Sequence, residues 1–406
     1  MELLFSSPAN IAEKSLTELC LGLFDDRLII SKQGLNKKFN ENTVVFLKEI
    51  FMTLFTEQMN LSVEKTKINS TISFNTVRIL DGTSIKLSKD LGIYYPGTTG
   101  AGVKLQLEFD FLTGRFIYAE LQAGKAGDTA SGMNRLESLE KDDLILQDLG
   151  YFQYELFKII DEKEAFYVSR ARADTMFYID SPNPRYHKNG DIVKSSAHER
   201  LYLEEVLKTM KRGETREYPK VYLGKHVRYP TRLIVYRLPI EAEEKQRDRI
   251  KRRKQTKPGK IKKKSYDVSG ITTFITNLPL SVPAEEVTKL YRYRWQIELI
   301  FKSWKSDMKV NYYRRMKKER WECHFYAELI LLLLGLLITY QLRSYFKEEK
   351  DLILSERITL NEVSKKIWKL WQARDKLEWI CLFQVLIEAL TKFGLKNTTR
   401  IQKSTT

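Results

Sequence analysis

Between residues 284 and 308 the sequence spaces a phenol, two cations and a carboxylate so that a helix would present them together. At about 100° per residue, Tyr291, Arg294, Glu298 and Lys305 fall within roughly a 60° stripe. Beside it runs an apolar stripe of Tyr293, Ile297, Ile300, Trp304 and Met308, which places the polar stripe at the edge of a core. A carboxylate held there between cations suits work on phosphate, the acid binding a metal ion and the cations gripping the backbone. The same spacing also allows an Arg294–Glu298 pair on a solvated face, worth about 0.5 kcal/mol or less. Spacing alone leaves both readings open.

Two further acids stand where chemistry could use them. Asp81 shares an alternating face with Val77, Ile79, Ile85 and Leu87, so a carboxylate interrupts an apolar stripe. A buried charge is costly unless something satisfies it, and a bound cation would do so. Asp81-Gly82 is equally a two-residue hairpin turn. Asp148 closes the apolar run LILQD ahead of a helix. Most Asp residues in that position cap the helix, but the ends of sheet strands are also where α/β proteins gather ligands.

The elements that must carry these residues can be read from periodicity. Leu16, Cys20, Leu21 and Phe24, then Val44, Phe46, Leu47, Ile50 and Leu54, follow helical spacing, with a turn-like ISKQGLNKKFNEN between them. This could be a groove-reading helix-turn-helix or a plain helical hairpin. From 74 to 123 the period becomes two, and Leu112-Thr113-Gly114 joins two strands as a hairpin. A short helix over Met133–Glu140, a strand ending at Asp148, another helix and a strand within 164–172 follow. Strands first paired, then alternating with helices, predict a mixed α/β (α+β) sheet. Residues 175–268 read as short strands with no long helical period, ending in a run (245–264) in which twelve of twenty residues are Lys or Arg. A strand at 271–279 and one long helix from Ala284 to Met308 come next, and the remainder is helical. The expected division is 1–68, 69–174, 175–268, 269–315 and 316–406.

The totals narrow the partner. A formal charge of +17 on 406 residues with 43% hydrophobic content describes a foldable, strongly basic chain, which points to a polyanion and most commonly nucleic acid. A membrane surface is the weaker alternative, because the basic residues do not line an amphipathic helix. Cys20, Cys323 and Cys381 are far apart and odd in number, arguing against a disulfide framework or a zinc site. The four histidines show no ligand spacing, and no glycine-rich nucleotide loop is present. The start MELLFSSPANIAEKS lacks the features of a secretory signal. LILLLLGLLI, at ten residues, is too short for a bilayer and predicts a buried helix.

Taken together, RILDGTSIKL around Asp81, LILQDLGYF around Asp148 and YRYRWQIELIFKSWK (291–305) resemble the DDE transposases of the insertion-sequence-four family. That family carries Tyr-x2-Arg-x3-Glu-x6-Lys, matched here by Tyr291, Arg294, Glu298 and Lys305; QGLNKKFNENTVVFLKEIF and YVSRAR are similar too. The resemblance implies a ribonuclease-H-like core with a β-rich insertion, which 175–268 would supply. It implies catalytic carboxylates Asp81, Asp148 and Glu298 holding two Mg²⁺ ions, for which Mn²⁺ could substitute. Tyr291, Arg294 and Lys305 would contact phosphates. The implied reaction is cleavage at transposon ends through hairpins, then strand transfer into target DNA. The implied partners are double-stranded DNA and a second copy of the chain, with no membrane, in a prokaryotic cytoplasm at the nucleoid. A silent, DNA-binding descendant is the alternative. The resemblance implies an aromatic residue that holds a flipped base, in some members a tryptophan of the inserted region; 175–268 has no tryptophan, and a tyrosine such as Tyr202, Tyr222 or Tyr229 could stack instead.

Overall fold

Alternating apolar residues build the strand that holds Asp81, a short continuous apolar run builds the strand that leads to Asp148, and the long apolar helix Lys318–Lys350 supplies a core for one part of the chain. The computed structural model describes residues 13–25, 28–98, 100–127, 129–172, 174–256, 267–307 and 315–396. It is a mixed α/β protein that divides into two compact units. The first comprises Met1–Ile68, Ile79–Gly127 and Trp295–Thr406; the second comprises Asn69–Arg78 and Asp128–Arg294.

In the first unit, β1 (Val77–Leu87, its first two residues counted with the second unit), β2 (Ala101–Asp110) and β3 (Phe116–Ala123) lie in sequence order. β2 and β3 are antiparallel from Val103 opposite Ala123 to Phe109 opposite Phe116. The expected hairpin joins them: the Asp110 carboxylate accepts from the Leu112 N–H at 3.0 Å and the Thr113 hydroxyl at 2.6 Å, and Gly114 turns the chain at φ +76°. That turn sits against Tyr340 of the helix Lys318–Lys350. The helix is long and apolar enough to cross a membrane, but 78% of its most apolar window is buried within the protein, as expected for LILLLLGLLI. Its Gly335 lets Leu360 and Ser364 of the helix Glu356–Gln372 approach closely, and Leu342, Phe346, Leu354, Val363, Leu386 and Leu390 close a core with the helix Lys376–Phe393.

Three helices precede β1: Leu16–Asp25, Lys32–Lys38 and Glu41–Asn60. The middle one occupies the stretch expected to be turn-like. Its apolar period is too short to register, but Ser31 caps it by accepting from the Gly34 N–H at 3.1 Å.

In the second unit the strand order is β4 (Leu144–Gln147), β5 (Phe166–Arg170), β10 (Ile271–Thr276), β9 (Tyr229–Arg237), β8 (Thr215–Leu223), β6 (Phe177–Asp180), β7 (His198–Leu201). β4 and β5 run parallel and every later pairing is antiparallel. The crossover helix Tyr154–Glu162 buries Leu156, Phe157 and Ile160 into the core. The α/β class and the strands of the β-rich stretch are as expected. Three details differ. The predicted Met133–Glu140 helix is a short helix at Thr129–Asn134 followed by a 3₁₀ turn at Arg135–Ser138. The helix Ile240–Thr256 was not visible to periodicity, because its Glu, Lys, Arg and Gln are good helix formers with no apolar stripe. The third is the expected 284–308 helix, described with the site.

Candidate active site

β1 runs unbroken through Asp81 and Gly82, so this pair is not a hairpin turn. Asp81 is half-buried in mid-strand, and its carboxylate accepts from the Gly82 N–H at 2.8 Å. A Cβ at Gly82 would lie 2.8 Å from the end of the buried Gln106 side chain, which would have to shift to admit it. Lys305 reaches the same strand in the first unit, its Nζ donating to the Ser84 carbonyl at 2.8 Å. Burial pushes the Lys305 ammonium down and Asp81 pulls it back up, so acid and amine act on each other.

Asp148 directly follows β4. It occupies the N-cap position of the 3₁₀ turn Leu149–Tyr151, but its side chain makes no capping bond there. The capping reading is therefore right about position and wrong about bonding. The strand leading to it is fixed from its other end by a buried ion pair, Arg78 to Asp143 at 3.3 Å, with Asp143 also accepting from the Thr76 hydroxyl and Arg78 donating to Ser138. Gln147 lies opposite Ser169, so Asp148 and Arg170 sit at the same end of neighbouring parallel strands.

The stretch expected as one helix from Ala284 to Met308 is broken. A helix covers Ala284–Arg292, Tyr293 and Arg294 form a turn, a second helix covers Trp295–Lys302, and Ser303–Asp307 widens to a π-helix; Met308 lies outside the described residues. The turn is closed by bonds from Tyr293 N–H to the Leu290 carbonyl and from Arg294 N–H to the Tyr291 carbonyl, three residues apart rather than four. Aromatic residues of modest helix propensity crowd this point, Tyr-Arg-Tyr-Arg-Trp from 291 to 295. The 60° stripe drawn for a continuous helix does not hold across it. The apolar side does: Ile297, Ile300, Phe301 and Trp304 are buried, with Glu298 half-buried among them in sequence.

The first half is anchored from the second unit's sheet. Buried Arg232 donates to the Pro279 carbonyl at 3.0 Å and the Val282 carbonyl at 2.8 Å, and Glu286 accepts from Ser70 and Thr71. Tyr291 packs edge-on against Phe274, the β10 residue opposite Arg170, with ring centroids 5.1 Å apart. Its hydroxyl is buried and meets no hydrogen-bond partner in good geometry among the described residues. The Arg294 guanidinium lies 5.9 Å from the ring centre. Burial pushes the phenol up to about 12; Arg294 opposes this, Asp148 adds to it and Arg170 opposes it again. Tyr291, Arg294, Asp148 and Arg170 are thus one electrostatic cluster.

Arg170 was missed as a site residue; its only signal was its place in YVSRAR. Of the expected residues, the first unit brings together Asp81 and Lys305 and also carries Glu298, while the second brings together Asp148, Tyr291 and Arg294. Within neither unit do three His, Cys, Asp or Glu side chains among the described residues gather as an ion-holding group. The three tyrosines expected as stacking candidates separate clearly. Tyr229 is buried with its hydroxyl donating to the Phe157 carbonyl and Asp161, which rules out a stacking role. Tyr222 donates to Asp180 at 2.9 Å and has His198 against its ring, whereas Tyr202 is 44% exposed with the Arg200 guanidinium 4.7 Å from its centre.

A carboxylate at a strand end, Asp148, beside a buried phenol and two guanidinium groups suits an enzyme that acts on phosphodiesters. Residues 72–334 match the family model described as the transposase DDE domain, and the chain belongs to the DDE transposases of insertion sequences, within the insertion-sequence-four group. It is 33% identical over 405 residues to the transposase for insertion sequence element IS231F of Bacillus thuringiensis subsp. israelensis, covering 98% of this chain and 84% of that one. The transposase for IS231E of Bacillus thuringiensis subsp. finitimus is 35% identical over 407 residues, with the same coverage. The transposase for IS1151 of Clostridium perfringens is 30% identical over 386 residues, covering 92% and 80%.

Proposed function

We propose that this transposase cuts DNA at the ends of an insertion sequence through hairpin intermediates and joins the freed ends to target DNA. The buried Tyr291 hydroxyl, which has the Arg294 side chain beside it but meets no hydrogen-bond partner in good geometry among the described residues, supports this reading together with Arg170 and Asp148. A buried hydroxyl without a partner costs about 1–3 kcal/mol, and a phosphate oxygen would satisfy it while the two guanidinium groups neutralise the charge.

Asp81, Asp148 and Glu298 are the residues we assign to metal binding. They offer only carboxylate oxygens, hard donors that suit Mg²⁺ or Mn²⁺; Asp81 is not spent in a turn and Asp148 is not spent on a cap. Two such ions, when bound, would supply activation of the attacking oxygen and stabilisation of the leaving one. Lys305, held on β1 through Ser84, has its ammonium supported by Asp81 against the effect of burial and is assigned to a backbone phosphate. Tyr291 and Arg294 hold the phosphate nearest Asp148. Of the tyrosines considered for stacking a displaced base, Tyr202 keeps an accessible ring and is our choice. The partners are double-stranded DNA and, on paired ends, a second copy of the chain; the setting is a bacterial cytoplasm.

The test is incubation of purified protein and Mg²⁺ with a plasmid carrying the gene and its flanking DNA, in parallel with Glu298→Ala, read on denaturing gels. Hairpin-ended linear fragments with the unaltered protein alone are expected. DNA binding without any nick, with Mg²⁺ or Mn²⁺, would replace this reading by that of a silent DNA-binding descendant.

A further inference from the structure

The helix Ile240–Thr256 is fastened to the second unit in an unusual way. Its inner side, Ala242, Glu243, Gln246 and Ile250, is buried or half-buried, and Glu243 is the hub. This one carboxylate meets Arg212 from the loop before β8, Arg237 at the end of β9 at 3.2 Å, and Arg247 of its own helix at 2.8 Å. Arg247 also donates to the Ser269 hydroxyl at 3.1 Å, just ahead of β10. Burial pushes the Glu243 carboxyl up, but Arg212, Arg237 and Arg247 outweigh it and hold it below its ordinary value. Three guanidinium groups on one carboxylate leave two positive charges in excess at the helix base, and the side chains of Arg212 and Arg247 are about half exposed. Lys245, Arg249 and Arg252 are all exposed on the outer side. At about 100° per residue they fall within a stripe of roughly 60°, and at about 1.5 Å per residue it spans roughly 10 Å.

We propose that this helix is a second DNA-binding element, its Lys245/Arg249/Arg252 stripe lying along backbone phosphates and Glu243 holding it at a fixed angle to the sheet. The proposal rests on the reading of the chain as a DNA-cutting enzyme and adds a contact surface separate from the carboxylates. Duplex DNA carries one phosphate per about 3.4 Å of axis on each strand, so the stripe matches about three of them. Exposed Glu241, Glu244 and Asp248 on the same helix offset part of this charge, but seven cations against four acids leave an excess of three that an anion relieves. A membrane surface fits poorly, since a surface-lying helix needs an apolar outward face, whereas here Ala242 and Ile250 are half-buried and Ile240, 56% exposed, stands by itself at the helix start.

The experiment measures binding of the full chain to a duplex of unrelated sequence by fluorescence anisotropy across about 0.05 to 0.2 M KCl. Lys245→Ala/Arg249→Ala/Arg252→Ala keeps good helix formers and is compared with Lys141→Ala/Lys158→Ala/Lys365→Ala, which removes equal charge from exposed sites elsewhere. The log–log salt slope of the stripe variant should become shallower by roughly 2 to 3, at about 0.9 per lost phosphate contact. The control should change it by less than about 1. A stripe variant with the unaltered slope, or a control that shifts it equally, overturns the proposal. Should the alanine triple not fold, Arg249→Glu alone must weaken binding at least tenfold or the proposal falls. An unaltered protein that binds but never cuts defeats the transposase reading, while the slope still decides the helix; one that cuts while the slope ignores the stripe defeats only the helix.

Discussion

Tyr291 separates stability from function more cleanly than the acids do. Its buried hydroxyl meets no hydrogen-bond partner in good geometry among the described residues, with only the Arg294 side chain acting on it as a weak donor, so removing it should loosen the protein little. Tyr291→Phe is expected to unfold at the same temperature as the unaltered chain or be up to about 1 kcal/mol more stable. End cleavage should fall about 10- to 100-fold, the loss of one hydrogen bond to a charged oxygen. A variant destabilised by more than about 1 kcal/mol would mean that the hydroxyl serves the fold instead. Most of this cluster was readable as sequence, because Tyr291 and Arg294 stand at a fixed spacing and Asp148 closes an apolar run. Arg170 was not, since nothing local marks an arginine at a strand end; only its position beside Asp148 on the neighbouring parallel strand makes it relevant.

Among elements, the hairpin between β2 and β3 was legible for a reason the structure sharpens. Gly114 stands at φ +76°, and a Cβ there would meet the Tyr340 ring at 2.6 Å and the Leu336 carbonyl at 3.0 Å. Turn chemistry and helix docking therefore demand the same residue. Gly114→Ala should cost about 2 kcal/mol or more, seen as a lowered thermal midpoint, and a cost under about 0.5 kcal/mol would mean the helix Lys318–Lys350 can back away. Breaking the buried Arg78–Asp143 pair by Arg78→Met should cost about 3–5 kcal/mol, because Asp143 would keep a buried charge with no cation facing it; urea unfolding measures this. Elements without an apolar period were the ones missed. The helix Ile240–Thr256 gains nothing from a hydrophobic stripe and is held by one carboxylate and three arginines drawn from distant parts of the sequence. The break at Tyr293–Arg294 was invisible because the apolar positions keep their period on both sides of it.

For the molecule as a whole, acid should act in two stages, and the first belongs to one histidine. His324 is fully buried in the helix Lys318–Lys350, accepts from the Arg320 Nε at 3.3 Å, and lies 5.4 Å from the Phe39 ring at the end of the helix Lys32–Lys38. Arg320 also donates to the Lys14 carbonyl, so this knot ties the N-terminal helices to the central one within the first unit. Burial, helped by Arg320, pushes the imidazole down to about 3. An unfolded histidine takes up its proton near about 6.5, so between those values the unfolded chain holds more protons and stability falls as pH drops. The ceiling is about 1.4 kcal/mol per pH unit for one such group. Glu243, Glu286 and Glu356 act later. Burial raises each, but Arg212, Arg237 and Arg247 around Glu243, Ser70 and Thr71 around Glu286, and Arg343 and Lys396 around Glu356 leave all three below their ordinary values. Their contribution is present above about pH 4.3 and lost below it. Thermal midpoints measured from neutral pH downward should therefore decline first below about pH 6.5 and more steeply below about 4.3. His324→Gln keeps an acceptor for Arg320 but cannot take up a proton in this range. It should abolish the upper decline and leave the lower one, and equal upper slopes in both proteins would show that the histidine is not what acid attacks first.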